Sequence, residues 1–174
     1  RPEGDGSVSV YLTGRALAEL TVEAGQFFTW RFLDRSGWTR ANPYSLSAAP
    51  DGKSLRITVK DLGDGSATLR ALHPGTRALI EGPFGRLSPR ARTQRSVVLI
   101  GAGVGVPPLR ALAEGLDYAP GEATLIYRYA DESLFLAELR VLQVERGLRV
   151  QLVPGRRRSH NSWLSGFSPE VSDL

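Results

Sequence analysis

Residues Val97 to Leu109 read Val-Val-Leu-Ile-Gly-Ala-Gly-Val-Gly-Val-Pro-Pro-Leu, an apolar run that empties into alternating glycines and then into a proline-started helix. Leu109, Leu112, Ala113 and Leu116 follow at helical spacing, which gives the segment the amphipathic face of a crossover helix. A buried strand that leads through a tight loop into such a helix feeds a parallel sheet. Glycines at alternate positions let a ligand approach the backbone without interference from a Cβ, and the first amides of a helix carry partial positive charge. That combination suits a pyrophosphate. Glycines also serve tight turns and close helix packing, so the loop alone leaves both roles open.

The chain on either side has two different periods. Up to about residue 85 it consists of short β-rich runs, Val8 to Leu12, Phe27 to Leu33, Tyr44 to Ser47, Leu55 to Lys60 and Arg77 to Glu81. Leu55, Ile57 and Val59 alternate with Arg56, Thr58 and Lys60, the pattern of a strand with one buried and one solvated face. Ala24-Gly25, Asn42-Pro43, Pro50-Asp51-Gly52, Pro74-Gly75 and Gly82-Pro83 separate the runs, as in an antiparallel barrel. A short helix is expected over Ser66 to Leu72. From Val97 the order becomes strand, helix, strand (Ala123 to Tyr127), helix (Ser133 to Arg146) and strand (Leu148 to Val153). The polar stretch Arg86 to Ser96 is the joint, and the expected division is 1–92 and 93–174.

Composition removes several function classes. The 174 residues include no Cys and no Met, so thiol catalysis, disulfides and thiolate metal sites are excluded. Arg1 is no initiator, and the chain is expected to be part of a longer polypeptide. No apolar run approaches the length of a membrane span. The net charge is +4, but acidic residues are interspersed throughout and only Arg156-Arg157-Arg158 form a run, so nucleic-acid binding is not expected. His73 and His160 are distant loop residues without metal-site spacing.

Four strings in order carry a resemblance: Ala24-Gly25-Gln26-Phe27, Asn42-Pro43-Tyr44-Ser45-Leu46-Ser47-Ala48-Ala49-Pro50, Lys60-Asp61-Leu62-Gly63-Asp64-Gly65-Ser66 and Glu81-Gly82-Pro83-Phe84-Gly85. With the glycine loop behind them, they resemble the ferredoxin-NADP reductase superfamily over almost the whole chain. Within it the chain looks most like the ferric reductase and NADPH oxidase branch, whose flavin motif reads His-Pro-Phe or Tyr-Ser or Thr with a small-residue-Ala-Pro tail. The resemblance implies an antiparallel flavin-binding β-barrel followed by a parallel-sheet nucleotide-binding α/β domain, here without its later strands. It implies FAD and NADPH as cofactors, with NADH as the alternative.

Carried over by resemblance, Tyr44 stacks on the isoalloxazine and Ser45 hydrogen-bonds the flavin N5; these two are the catalytic candidates. Arg40, Asn42, Pro43 and Leu46 flank them, Thr58, Val59 and Lys60 follow on the next strand, and Gly65 and Ser66 complete the flavin set. A flat aromatic covers a ring at little entropic cost, and a hydroxyl both donates and accepts. Read without the neighbouring motifs, Tyr44 and Ser45 are an ordinary strand pair, Lys60 a solvated side chain and Ser66 a helix cap. The nucleotide set is Gly101, Gly103, Val104, Gly105 and Pro108, with Arg128 and Arg156 for a 2′-phosphate. The run Arg156 to Arg158 reads equally as a solvated loop, because Arg outnumbers Lys twenty to two overall.

Two departures stand out. Position 42 is Asn where relatives carry Arg or His, with Arg40 two residues away on the same strand face as a substitute. Pro107 stands where relatives carry Thr, which removes a hydroxyl and an N–H from the loop. The resemblance implies that electrons pass from the flavin to haem in a preceding membrane domain, on the cytoplasmic side. A soluble reductase serving an iron-sulfur protein or ferric chelates, and a degenerate flavin-binding module, are the alternatives.

Overall fold

The computed structural model describes residues 1–3, 6–33, 41–60, 69–130 and 133–155. Among the described residues the first half is built from five antiparallel strands, β1 (Ser7–Thr13), β2 (Phe27–Phe32), β3 (Asn42–Ser45), β4 (Ser54–Lys60) and β5 (Ala78–Phe84). β1 pairs with β4, while β3, β2 and β5 form a second sheet in that order. β2 turns Phe28, Trp30 and Phe32 inward, as a period of two requires. Trp30 stacks on Phe32 at 6.2 Å and meets Phe28 edge-on at 6.0 Å. Leu46, Leu55, Ile57 and Leu69 complete this core.

The two sheets are stitched together just after β3. Leu46 forms an isolated bridge with Ile57 of β4, its N–H donates to the Gln26 carbonyl, and the Ser47 N–H donates to the Arg56 carbonyl. The strand expected to run on to Ser47 therefore ends at Ser45, where the chain changes partner. β5 is longer than expected because Gly82 and Pro83 lie inside it rather than in a turn. They sit where its pairing with β2 shifts register between Phe27 and Thr29. Of the short helix expected over Ser66 to Leu72, Leu69 and Arg70 are helical, and the positions before Leu69 lie outside the described residues.

The second half is a parallel sheet in the order β6 (Val97–Ala102), β7 (Ala123–Tyr129), β8 (Arg149–Pro154). Helix α1 (Val106–Gly115) connects β6 to β7, and α2 (Leu136–Arg146) connects β7 to β8. Leu99, Leu125, Tyr127, Leu109, Leu112 and Leu139 lie in the core between sheet and helices. α2 starts three residues later than expected. Phe135 takes a left-handed conformation (φ 65°) at the N-cap, and the Leu134 N–H is tied to the Tyr127 hydroxyl at 2.9 Å. Ala24 and Ala49 of the first half pack into the second core, so α1 is covered by the sheet on one side and by the barrel on the other.

Candidate functional site

Tyr44 and Ser45 close β3, opposite Phe28 and Phe27 of β2. Neighbouring residues on a strand face opposite ways, so they present a ring and a hydroxyl to different sides. The Tyr44 ring is partly buried against the barrel core, and its carbonyl accepts the Trp30 indole N–H at 3.2 Å. Burial pushes the Tyr44 phenol up from its ordinary value. Asn42 and Pro43 precede them in register with Trp30 and Thr29, Pro43 being exposed. Leu46 is fully buried, and with its N–H committed to Gln26 it supports the strand end from beneath.

On β4, Val59 and Lys60 end the strand opposite Val8 and Ser7. Thr58 is buried; its hydroxyl donates to Ser47 Oγ at 2.8 Å and shares a 2.7 Å bond with Ser9 Oγ. What Thr58 has to offer a ligand is therefore backbone. Arg40, Gly65, Ser66 and Arg156 lie outside the described residues.

The glycines of the loop divide between two tasks. A Cβ on Gly101 would stand 2.6 Å from Leu109 Cδ1, so this glycine serves the close approach of α1 to β6. Gly103 (φ +49°) and Gly105 face open space, with nothing within 4 Å of a Cβ built on either. Val104 between them is exposed. The start of α1 itself has few donors: the Val106 N–H bonds to the Gly103 carbonyl, and Pro107 and Pro108 have none. An anion here would be met mainly by the amides of the loop. Arg128 lies at the carboxyl end of β7, level with Ala102 and Val153 and 6% exposed, with Nη1 3.5 Å from the Gly155 carbonyl.

Between strand and loop lies a cluster that sequence reading missed. The alternate residues of β4 are not solvated: Thr58 is buried against Ser9 and Ser47, and Arg56 is buried against Glu138 of the second half. Arg56 forks onto Glu138 of α2, with Nη1 to Oε1 and Nη2 to Oε2 both at 2.9 Å. Arg110 of α1 places Nε 2.8 Å from Glu138 Oε2, an ion pair outside hydrogen-bond geometry, and forks onto Glu114 at 2.5 and 3.0 Å. Both arginines donate to the Ser47 carbonyl, at 2.5 and 3.3 Å, and Glu114 accepts the Ala49 N–H at 2.6 Å. The signals available were the (i, i+4) spacing of Arg110 and Glu114 and an acidic residue in the first turn of α2.

Burial raises the Glu138 carboxyl, but the Arg56 fork and the Arg110 charge outweigh it and hold the group below its ordinary value. A depressed acid contributes stability above its unfolded pKa and loses it as pH falls through the folded one. The Tm of the chain is therefore expected to drop as pH falls below the ordinary glutamate value of about 4.3, and Glu138→Gln to flatten that drop. Equal slopes in a thermal melt series would remove Glu138 from the acid sensitivity.

A cavity of about 630 Å³ lies between β1 and residues 69–78 and is lined by none of the described candidate residues. No family model matches the chain. Over 135 residues it is 31% identical to a flavohemoprotein of Deinococcus radiodurans, 76% of this chain and 31% of that one. Over 137 residues it is 36% identical to the ferredoxin–NAD(+) reductase component of an alkene monooxygenase system from Xanthobacter autotrophicus, 74% of this chain and 40% of that one. In fold it matches the flavohem-like FAD/NAD binding domain of nitric oxide dioxygenase from Vibrio cholerae, with a TM-score of 0.70 at 22% identity. That match covers 98% of this chain and 80% of the other. The chain belongs to the ferredoxin-NADP reductase superfamily.

The superfamily fold accounts for both halves, antiparallel sheets followed by a parallel sheet with helices. The chain spans between 31% and 40% of the length of the two curated superfamily members named above. Among the described residues no helix is long and apolar enough to cross a membrane.

Proposed function

We propose that the chain is a flavin reductase unit in which residues 1–92 hold FAD, residues 93–174 hold NAD(P)H, and electrons leave the flavin singly for an acceptor. The observation that carries this reading is the shared contact between the end of β3 and α1. Arg110 reaches the Ser47 carbonyl two residues after Ser45, and Glu114 reaches the Ala49 N–H. α1 rises about 1.5 Å per residue, so Arg110 stands roughly 7 Å along the helix from Gly105. Ser47 stands about as far along the chain from Ser45. The two candidate binding elements thus flank one joint.

The residues fit both groups. Gly103 and Gly105 leave open space where a Cβ would meet nothing within 4 Å, which suits close approach of a pyrophosphate. Tyr44 offers a neutral, partly buried ring and Ser45 a hydroxyl able to donate or accept. In this reading Tyr44 and Ser45 orient the flavin, Asn42, Pro43, Leu46, Thr58, Val59 and Lys60 shape its bed, and Arg128 lines the nucleotide rim. When bound, the flavin supplies the exchange between two-electron and one-electron chemistry. In this reading NADPH is the preferred donor, as the resemblance implies for a chain with Arg128 and Arg156.

For the acceptor we infer haem in an attached membrane domain, on its cytoplasmic side. What supports it is the likeness of Asn42-Pro43-Tyr44-Ser45 and Ala48-Ala49-Pro50 to the ferric reductase motif. The likeness to a ferredoxin–NAD(+) reductase component favours a second reading, transfer to an iron-sulfur protein. Titration of FAD into the chain, followed by flavin fluorescence, tests the first half of the proposal. One saturable site is expected, and absence of binding would remove the flavin role.

Pro107→Thr restores an N–H and adds a hydroxyl at the loop. At about 1 kcal/mol for a hydrogen bond, NADP⁺ is expected to bind roughly five-fold more tightly. Calorimetry giving an unchanged or weaker Kd would mean that Pro107 does not limit the cradle.

A further inference from the structure

We propose that Glu138 is a positioning residue for flavin reduction: by gripping Arg56 of β4 and Arg110 of α1 together, it fixes the glycine loop against the strand that carries Tyr44 and Ser45. The proposal rests on the flavin reductase reading and names the device that sets its geometry.

Three elements distant in sequence meet at this carboxylate. Arg56 and Glu138 are 82 residues apart, and both oxygens of Glu138 are engaged by the Arg56 fork at 2.9 Å. Arg110 adds its charge at 2.8 Å from Oε2. Arg56 and Arg110 are 5% and 7% exposed, and both donate to the Ser47 carbonyl. Such groups cannot shed their protons, so two buried cations side by side are tolerable only because Glu138 and Glu114 balance them. Arg56 also donates through Nε to Ser47 Oγ at 3.1 Å. Ser47 and Ala49, immediately beyond the flavin strand, are thus tied to both helices of the second half.

Simple adhesion would be served as well by apolar side chains, since buried ion pairs seldom outperform them. A charged cluster instead selects one arrangement, because any sliding of α1 or α2 strands a buried charge. Phe135 fits the same picture. The Arg56 guanidinium lies 5.1 Å from its ring, and Phe135 is held at φ 65°, a conformation that aromatic side chains seldom adopt, at the N-cap of the helix that carries Glu138.

The test uses Glu138→Gln, which keeps the shape and removes the charge. Cysteines introduced at the exposed positions Leu79 on β5 and Val144 on α2 carry spin labels, in a chain with no cysteine of its own. The inter-label distance distribution is expected to be narrow in the parent and broad in Glu138→Gln. In the FAD-loaded chain, the flavin reduction rate at saturating NADPH is expected to fall about ten-fold or more, with the Kd for FAD and for NADPH within about two-fold of the parent. An unchanged distance distribution would overturn the joint, and a broadened one with an unchanged rate would overturn the positioning role. Should Glu138→Gln fail to fold, Glu114→Gln, which loosens Arg110 and Ala49, is read by the same measurements. A parent chain that NADPH fails to reduce would overturn the flavin reading and Glu138's role in it, while the label distances still decide whether the joint is fixed by this charge.

Discussion

Ser45→Ala is expected to bind FAD within about three-fold of the parent while its reduction by NADPH slows roughly ten- to a hundred-fold. A neutral hydrogen bond lost from a bound ligand costs about 1 kcal/mol, and one aimed at the atom where charge develops costs more. Ser45 stands in register with Phe27 at the end of β3, next to the Leu46 bridge that fixes the backbone, so removal of one oxygen leaves the strand intact. Stopped-flow absorbance under anaerobic conditions separates binding from reduction. Equal reduction rates would make Ser45 a structural residue.

Trp30→Ala is expected to cost about 3–5 kcal/mol, a large part of the roughly 5–15 kcal/mol available to a domain of this kind. Trp30 is fully buried between Phe28 and Phe32, and its indole N–H holds the Tyr44 carbonyl. The same change therefore loosens the strand that presents Tyr44, and FAD affinity is expected to fall with stability. Trp30→Phe keeps most of the apolar volume but leaves the Tyr44 carbonyl without its donor, so a smaller loss is expected. Denaturant midpoints at constant m-value measure both. A loss below about 1 kcal/mol for the alanine variant would show that the barrel core is not organised around Trp30.

The change of period at Val97 made the architecture legible. Alternation before it and strand-helix-strand order after it are local properties of the chain, and the sheets follow them. Leu46 and Gly82 were harder to read. The exchange of partners at Leu46 and the register shift beside Gly82 depend on which strand lies alongside, and neither has a local signature. Arg56 illustrates the same limit more sharply. Its alternation with Leu55 and Ile57 reads as a solvated face, yet the second half covers that face, and its partner Glu138 is 82 residues away. The glycine loop was legible as a loop, but not the division of labour within it. Gly101 serves Leu109, whereas Gly103 and Gly105 face open space. Pro107 is legible as a missing donor, and the Val106 N–H bond to Gly103 removes another.

In the proposed function one chain brings flavin and nicotinamide together across the joint. That function is tested most directly by the absorbance spectrum of the FAD-loaded chain in the absence of oxygen, recorded before and after one equivalent of NADPH. The oxidised-flavin band is expected to bleach, and faster than with NADH. A band that persists after NADPH, in a chain shown to hold FAD and to be folded, would contradict the proposed function.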